Sequence, residues 1–176
     1  MAALLARCGR RSAQACAWGP FGEGRAGRRP EPVGSRVTTL VIDASVWVSA
    51  ADATDGLSDS SRAFLSLVVE RELPISLPEL AKLEIACALA RRLRDAERGR
   101  SLADQMLGSP LVTVYSLNRA MLQQALEVGT RGFLRSGDAL YAALADWLGA
   151  EVVSWDGELI DRAGAFTPTD WIARNA

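Results

Sequence analysis

The sequence predicts an α/β fold, a parallel sheet covered by helices on both faces. Three observations carry that expectation. From Val37 onward strand-like and helix-like stretches alternate. The strand-like stretches are short, apolar and rich in β-branched residues, as strands buried in a sheet are. The chain has 176 residues, 49% of them hydrophobic, enough for one domain with a real core.

Taken in order, "TTLVID" reads as a buried strand, and "SVWVSAAD" behind it as a short helix. A helix is expected near 58–71 and a short strand at "LPIS". The next segment, "SLPELAKLEIACALARRLRDAE", opens with a capping-box pattern from Ser76 to Glu79, with Pro78 in the first turn, and predicts a helix to about residue 95. A second helix over 99–107 follows Gly99, so the two form a helical hairpin. "LVTVYS" is a strand, 117–129 a helix, and "SGDALYAALADWLG" a helix ended by Gly149. "AEVVSW" is a strand, and a short edge strand is expected near Phe166.

Residues 1–36 break the pattern. They are rich in Gly, Arg and Pro, lack periodicity, and read as a disordered extension. An organellar transit peptide or a basic RNA-binding arm would suit the composition. So would an over-long gene start, with Val37 as the natural beginning. The body is then one domain over 37–176.

Composition removes whole classes of chemistry. The chain has no histidine, which excludes His-based triads, bases and metal ligands. Cys8, Cys16 and Cys87 are too few and scattered for a zinc site, and suit a reducing, cytoplasmic compartment. Cys87 reads as a small core residue. No apolar run reaches the roughly 18 residues of a membrane span. Residues 1–36 carry seven arginines and two glutamates, +5, whereas the rest carries thirteen cations and nineteen acids, −6. An acidic body that handles a polyanion needs cations to help.

Four carboxylates fall where sites form in open α/β sheets, beyond the carboxyl ends of the strands. Asp43 ends the first strand, and Asp156 follows "EVVSW". Asp138 opens a helix, and Glu84 interrupts the apolar stripe of "LAKLEIACALA". Singly, each has a plain structural reading: a helix cap, a salt bridge, an acid at a helix start, an Asp-Gly turn. Together they would repel one another unless protonated or holding a cation. Oxygen-only ligands favour Mg²⁺ or Mn²⁺. Ser45 and Ser154 stand two residues from an acid, where a hydroxyl could orient a ligand. Trp47 and Trp155 flank two of the acids and read as core residues, with base stacking the alternative. Arg131 and Arg135 lie just before Asp138 and are candidate phosphate contacts, while Arg91, Arg92, Arg94, Arg98 and Arg100 run along the helical hairpin.

Asp43 in "VIDAS", Glu84 in "KLEIACAL", Asp138 in "GDALYAALA" and Asp156 in "SWDGEL" resemble the four acidic motifs of the PIN-domain ribonucleases, in particular the toxins of VapBC-type toxin–antitoxin systems. The gaps of 41, 54 and 18 residues suit that family, and the resemblance covers about residues 37–170. It implies a PIN-like three-layer α/β/α sandwich with a parallel sheet of four to five strands. It implies an endoribonuclease that hydrolyses RNA with Mg²⁺ or Mn²⁺ held by Asp43, Glu84, Asp138 and Asp156. It also implies a VapB-type antitoxin partner and a homodimer. The alternative is a non-catalytic PIN-like module that binds RNA or protein. A haloacid-dehalogenase-type phosphatase would need a second Asp where Ser45 stands, and no P-loop is present.

Overall fold

The computed structural model describes residues 38–176. The expected extension over 1–36 lies outside them. The described residues form four strands, β1 (Leu40–Ile42), β2 (Ile75–Pro78), β3 (Val112–Tyr115) and β4 (Glu151–Val153). They also form eight helices: α1 (Ala44–Ala51), α2 (Ser58–Glu70), α3 (Leu80–Leu93), α4 (Ala96–Leu107), α5 (Arg119–Gly132), α6 (Ser136–Leu148), α7 (Gly157–Ala163) and α8 (Pro168–Asn175). The sheet order is β3-β2-β1-β4, parallel throughout, with helices on both faces. A single bridge from Val153 to Phe166 stands where a fifth edge strand was expected.

β1 is the centre. Leu40, Val41 and Ile42 are wholly buried. Each such side chain stabilises the fold by about 1.5–3 kcal/mol. Val41 pairs with Ser76 on one side and Val152 on the other, so the ends of β1 and β4 are in step. That register puts Asp43 and the residues after Val153 at one sheet edge. α6 lies across β1, β2 and β4, and Leu140, Tyr141, Ala143 and Leu144 face the core. Phe64 of α2 meets Trp171 of α8 edge-to-face at 5.4 Å. Trp47 is fully buried and donates to the Ile42 carbonyl, and the Trp155 indole donates to Ser61 Oγ at 2.7 Å. Both tryptophans serve the packing. Among the described residues no helix is long and apolar enough to cross a membrane.

Four local expectations need correction. Ser76 and Pro78 belong to β2, α3 starts at Leu80, and Glu79 makes no side-chain cap. The capping box fails because β2 is paired on both sides, which holds 75–78 extended. The hairpin's second helix begins at Ala96, capped by Asp95, so Gly99 lies inside α4 rather than before it. A Cβ at Gly99 would stand 2.6 Å from the Ala90 nitrogen. The glycine therefore marks a close helix crossing, not a break. α5 spans Arg119–Gly132, shifted from 117–129 because Asn118 supplies its cap. Cys87 is exposed rather than core, because its face of α3 borders a cleft.

Candidate functional site

The four sequence-predicted acids line one cleft of about 910 Å³ at the carboxyl edge of the sheet. Ala44, Ser45 and Val48 of α1 and Leu83, Cys87, Ala88, Arg91 and Arg92 of α3 complete its wall.

Asp43 is nearly buried, at 6% exposure, and is also the N-cap of α1. Its Oδ2 accepts from the Ser45 amide at 3.1 Å, from the Ser45 hydroxyl and from the Ser154 hydroxyl at 2.9 Å. Among the described residues no donor reaches Oδ1. The structural and functional readings of Asp43 thus divide between its two oxygens. Ser45 also accepts from the Trp155 amide at 3.0 Å, and Ser154 from the Asp156 amide at 2.8 Å. The two serines stitch the end of β1 to the end of β4. Ser45 is therefore a brace beside the cleft, with its hydroxyl engaged inside the protein.

Glu84 faces the cleft from the second turn of α3. The Tyr141 hydroxyl donates to its Oε2 at 2.6 Å. Gly137 makes room for it, since a Cβ there would stand 3.0 Å from Glu84 Oε1. Burial raises the Glu84 pKa, the Tyr141 hydrogen bond opposes the rise, and the charge of Asp43 adds to it. Burial, followed by the charges of Asp43 and Glu84, pushes the Tyr141 pKa up, so the phenol stays a donor.

Asp138 sits in the first turn of α6, favoured there by the helix dipole. Its Oδ2 is buried without a hydrogen-bond partner. Burial, then the charge of Asp156, raises its pKa to about 6, against the pull of Arg135. Asp156 caps α7 through the Glu158 amide at 2.7 Å.

Arg135 lies beside this second pair of acids. Its guanidinium stands 3.1 Å from Asp156, 3.1 Å from Glu158 and 3.4 Å from Asp138. The charges of Asp156, Asp138 and Glu158, in that order, raise its own pKa. Arg131 does not join the site. It borders a separate cavity of about 610 Å³ with Asp146, Glu151 and Arg162. Of the hairpin arginines only Arg91 and Arg92 reach the cleft. Arg92 is tied to Asp52 and Asp55 at 3.1 and 2.6 Å, while among the described residues Arg91 makes no ion pair.

Tyr141, Gly137 and Glu158 are site residues that sequence reasoning missed. Tyr141 lies one helical turn after Asp138, and Glu158 lies two residues after Asp156 on a helix start. Both spacings were readable.

The donor set fits a hard divalent cation: carboxylate oxygens only, one of them buried without a hydrogen bond, with the pKa values of Glu84 and Asp138 raised first by burial and then by neighbouring charge. The set is open, however. Among the described residues no three acidic or cysteine side chains stand close enough together to hold an ion as they are. An ion there would need water to complete its shell or a small convergence of the acids.

Known proteins give the same architecture. The structure of VapC20 from Mycobacterium tuberculosis, described as a sarcin-ricin loop cleaving toxin, is 19% identical, with a TM-score of 0.62 over 73% of this chain and 97% of that one. PAE2754 from Pyrobaculum aerophilum is 21% identical, with a TM-score of 0.59 over 78% and 89%. VapBC2 from Rickettsia felis, solved with a DNA fragment from its promoter, is 15% identical, with a TM-score of 0.57 over 74% and 97%. Among curated proteins none matches by sequence. The PIN domain family matches residues 40–165, from the central strand to the loop after α7, and with it all four acids. The chain belongs to the PIN domain family.

Proposed function

We propose that this protein is an endoribonuclease, dependent on Mg²⁺ or Mn²⁺, and the toxin of a type II toxin–antitoxin pair. The observation that carries the reading is the meeting of Asp43, Glu84, Asp138 and Asp156 in one cleft. Similar folds in VapC20 and in a toxin–antitoxin complex from Klebsiella pneumoniae support it. Asp43, Glu84 and Asp138 would hold the cation, and Asp156 would complete the site. A bound divalent ion supplies a water of lowered pKa and offsets charge on a phosphate, work that a chain without histidine leaves to a metal.

The protein's own residues prepare the site. Ser45 and Ser154 fix one oxygen of Asp43. Tyr141 orients Glu84 and contributes a proton donor that keeps the carboxylate from turning away. Arg91, at the cleft wall, and Arg135, beside the acids, supply positive charge for an RNA backbone. The protein partner is a VapB-type antitoxin, and the toxin is a homodimer in the cytoplasm.

The test is cleavage of RNA with Mg²⁺ or Mn²⁺ by wild type, Asp43→Asn and Glu84→Gln. Loss in both variants is expected, and equal activity in all three would overturn the reading. A second reading, a non-catalytic RNA- or protein-binding module, draws on the open arrangement of the acids. Cation binding without cleavage of any cellular RNA would favour it.

A further inference from the structure

We propose that Arg135 is a resident counter-ion that competes with a divalent cation for Asp156 and Asp138, and so sets the cation affinity of the cleft. The inference rests on the metal-site reading above. It concerns a positioning residue, one that acts on the ion through two of its carboxylates.

Three features point to it. The Arg135 side chain is 67% exposed, so its three ion pairs, not packing, keep it in place. The root of the residue is anchored, because its backbone amide donates to Glu158 Oε1 at 2.7 Å. The head can therefore leave while the loop stays. The match is also incomplete: Arg135 donates to Asp156 and Glu158, yet Asp138 Oδ2 remains buried without a hydrogen bond. Arg135 meets that oxygen only through the 3.4 Å ion pair, the longest of its three contacts, so Asp138 is held by charge alone.

A guanidinium and a divalent ion on one carboxylate repel each other, so each weakens the other's hold on Asp156. An ion that engages Asp156 therefore loosens or displaces Arg135, which holds both Asp156 oxygens through one nitrogen. Glu158 gives the displaced head an alternative partner at the cleft margin, where it would meet an RNA phosphate. Asp43 and Glu84 take their hydrogen bonds from hydroxyls and the Ser45 amide rather than from Arg135, so the competition is confined to one side of the cleft.

The experiment is calorimetric titration of Mn²⁺ into the full-length, RNA-free protein, comparing wild type, Arg135→Gln, Arg135→Lys, Asp156→Asn and the Arg135→Gln/Asp156→Asn double variant. Arg131→Gln, facing the other cavity, controls for net charge. Arg135→Gln is expected to bind Mn²⁺ about fivefold more tightly, Arg135→Lys to fall between, and Arg131→Gln to match wild type. In the Asp156→Asn background the gain should shrink to the share exerted through Asp138. Unchanged or weaker binding by Arg135→Gln would overturn the inference, as would an equal gain in the Asp156→Asn background. Binding that is measurable yet indifferent to Arg135 leaves the metal-site reading standing. No binding in any variant would overturn both.

Discussion

Asp43 and Glu84 are held by neutral hydroxyls, from Ser45, Ser154 and Tyr141, whereas Asp138 and Asp156 lean on the guanidinium of Arg135. A hydroxyl fixes a carboxylate and leaves its charge in place. An arginine fixes it and cancels much of the charge. One side of the cleft is thus oriented and electrostatically open, and the other is oriented and already partnered. A cation arriving from solvent should meet the first side first.

Cleavage assays can break that distinction. Glu84→Gln should lower kcat by about 10²–10³-fold, the scale of losing one preorganised charged group. Asp156→Asn should cost about tenfold, nearer the scale of an outer orienting partner. Equal losses would mean that the two sides do not differ in function.

Tyr141→Phe sharpens the comparison on the hydroxyl-held side. It removes one donor and leaves the ring in the core. Activity with saturating Mn²⁺ should fall about tenfold, while circular dichroism stays native. An unchanged rate would make the Tyr141–Glu84 bond a packing detail.

The smallest expected effect is on stability. Asp138 has a folded pKa near 6 against an ordinary 3.8, so the folded state holds its proton more tightly than the unfolded state does. Its contribution is fully present below about pH 4, declines as pH rises through 6, and is a fixed penalty above. Asp138→Asn should therefore stabilise the metal-free protein by about 1 kcal/mol at pH 7.5, after allowance for solvent screening. It should do nothing at pH 4. Urea melts at the two pH values check the sign, and a gain of equal size at both would exclude an origin in the buried charge.

Three of the acids were legible because they stand at boundaries: the end of β1, the cap of α7, the first turn of α6. Such positions are visible as the point where an apolar run stops. Glu84 was legible as a charge inside an apolar stripe, although the stripe was assigned too widely. Leu83 is 59% exposed and Cys87 is exposed, since that side of α3 is cleft wall rather than core. The pairing of Arg135 was not legible. Its spacing hints at Asp138, but Asp156 and Glu158 are 21 and 23 residues away and meet it only through the register of β4 on β1. Tyr141 was hidden by its size, because an aromatic ring on a buried helix face reads as filler until its hydroxyl finds Glu84. β2 misled in the opposite way: a cap-like pattern was overruled by two neighbouring strands.

Asp43 splits its duties between two oxygens, and asparagine serves about as well as aspartate at a helix start. An Asp43→Asn chain would keep its shape and every outer surface while losing the charge. Any loss of cation binding in that chain would then report the missing charge and not a lost fold.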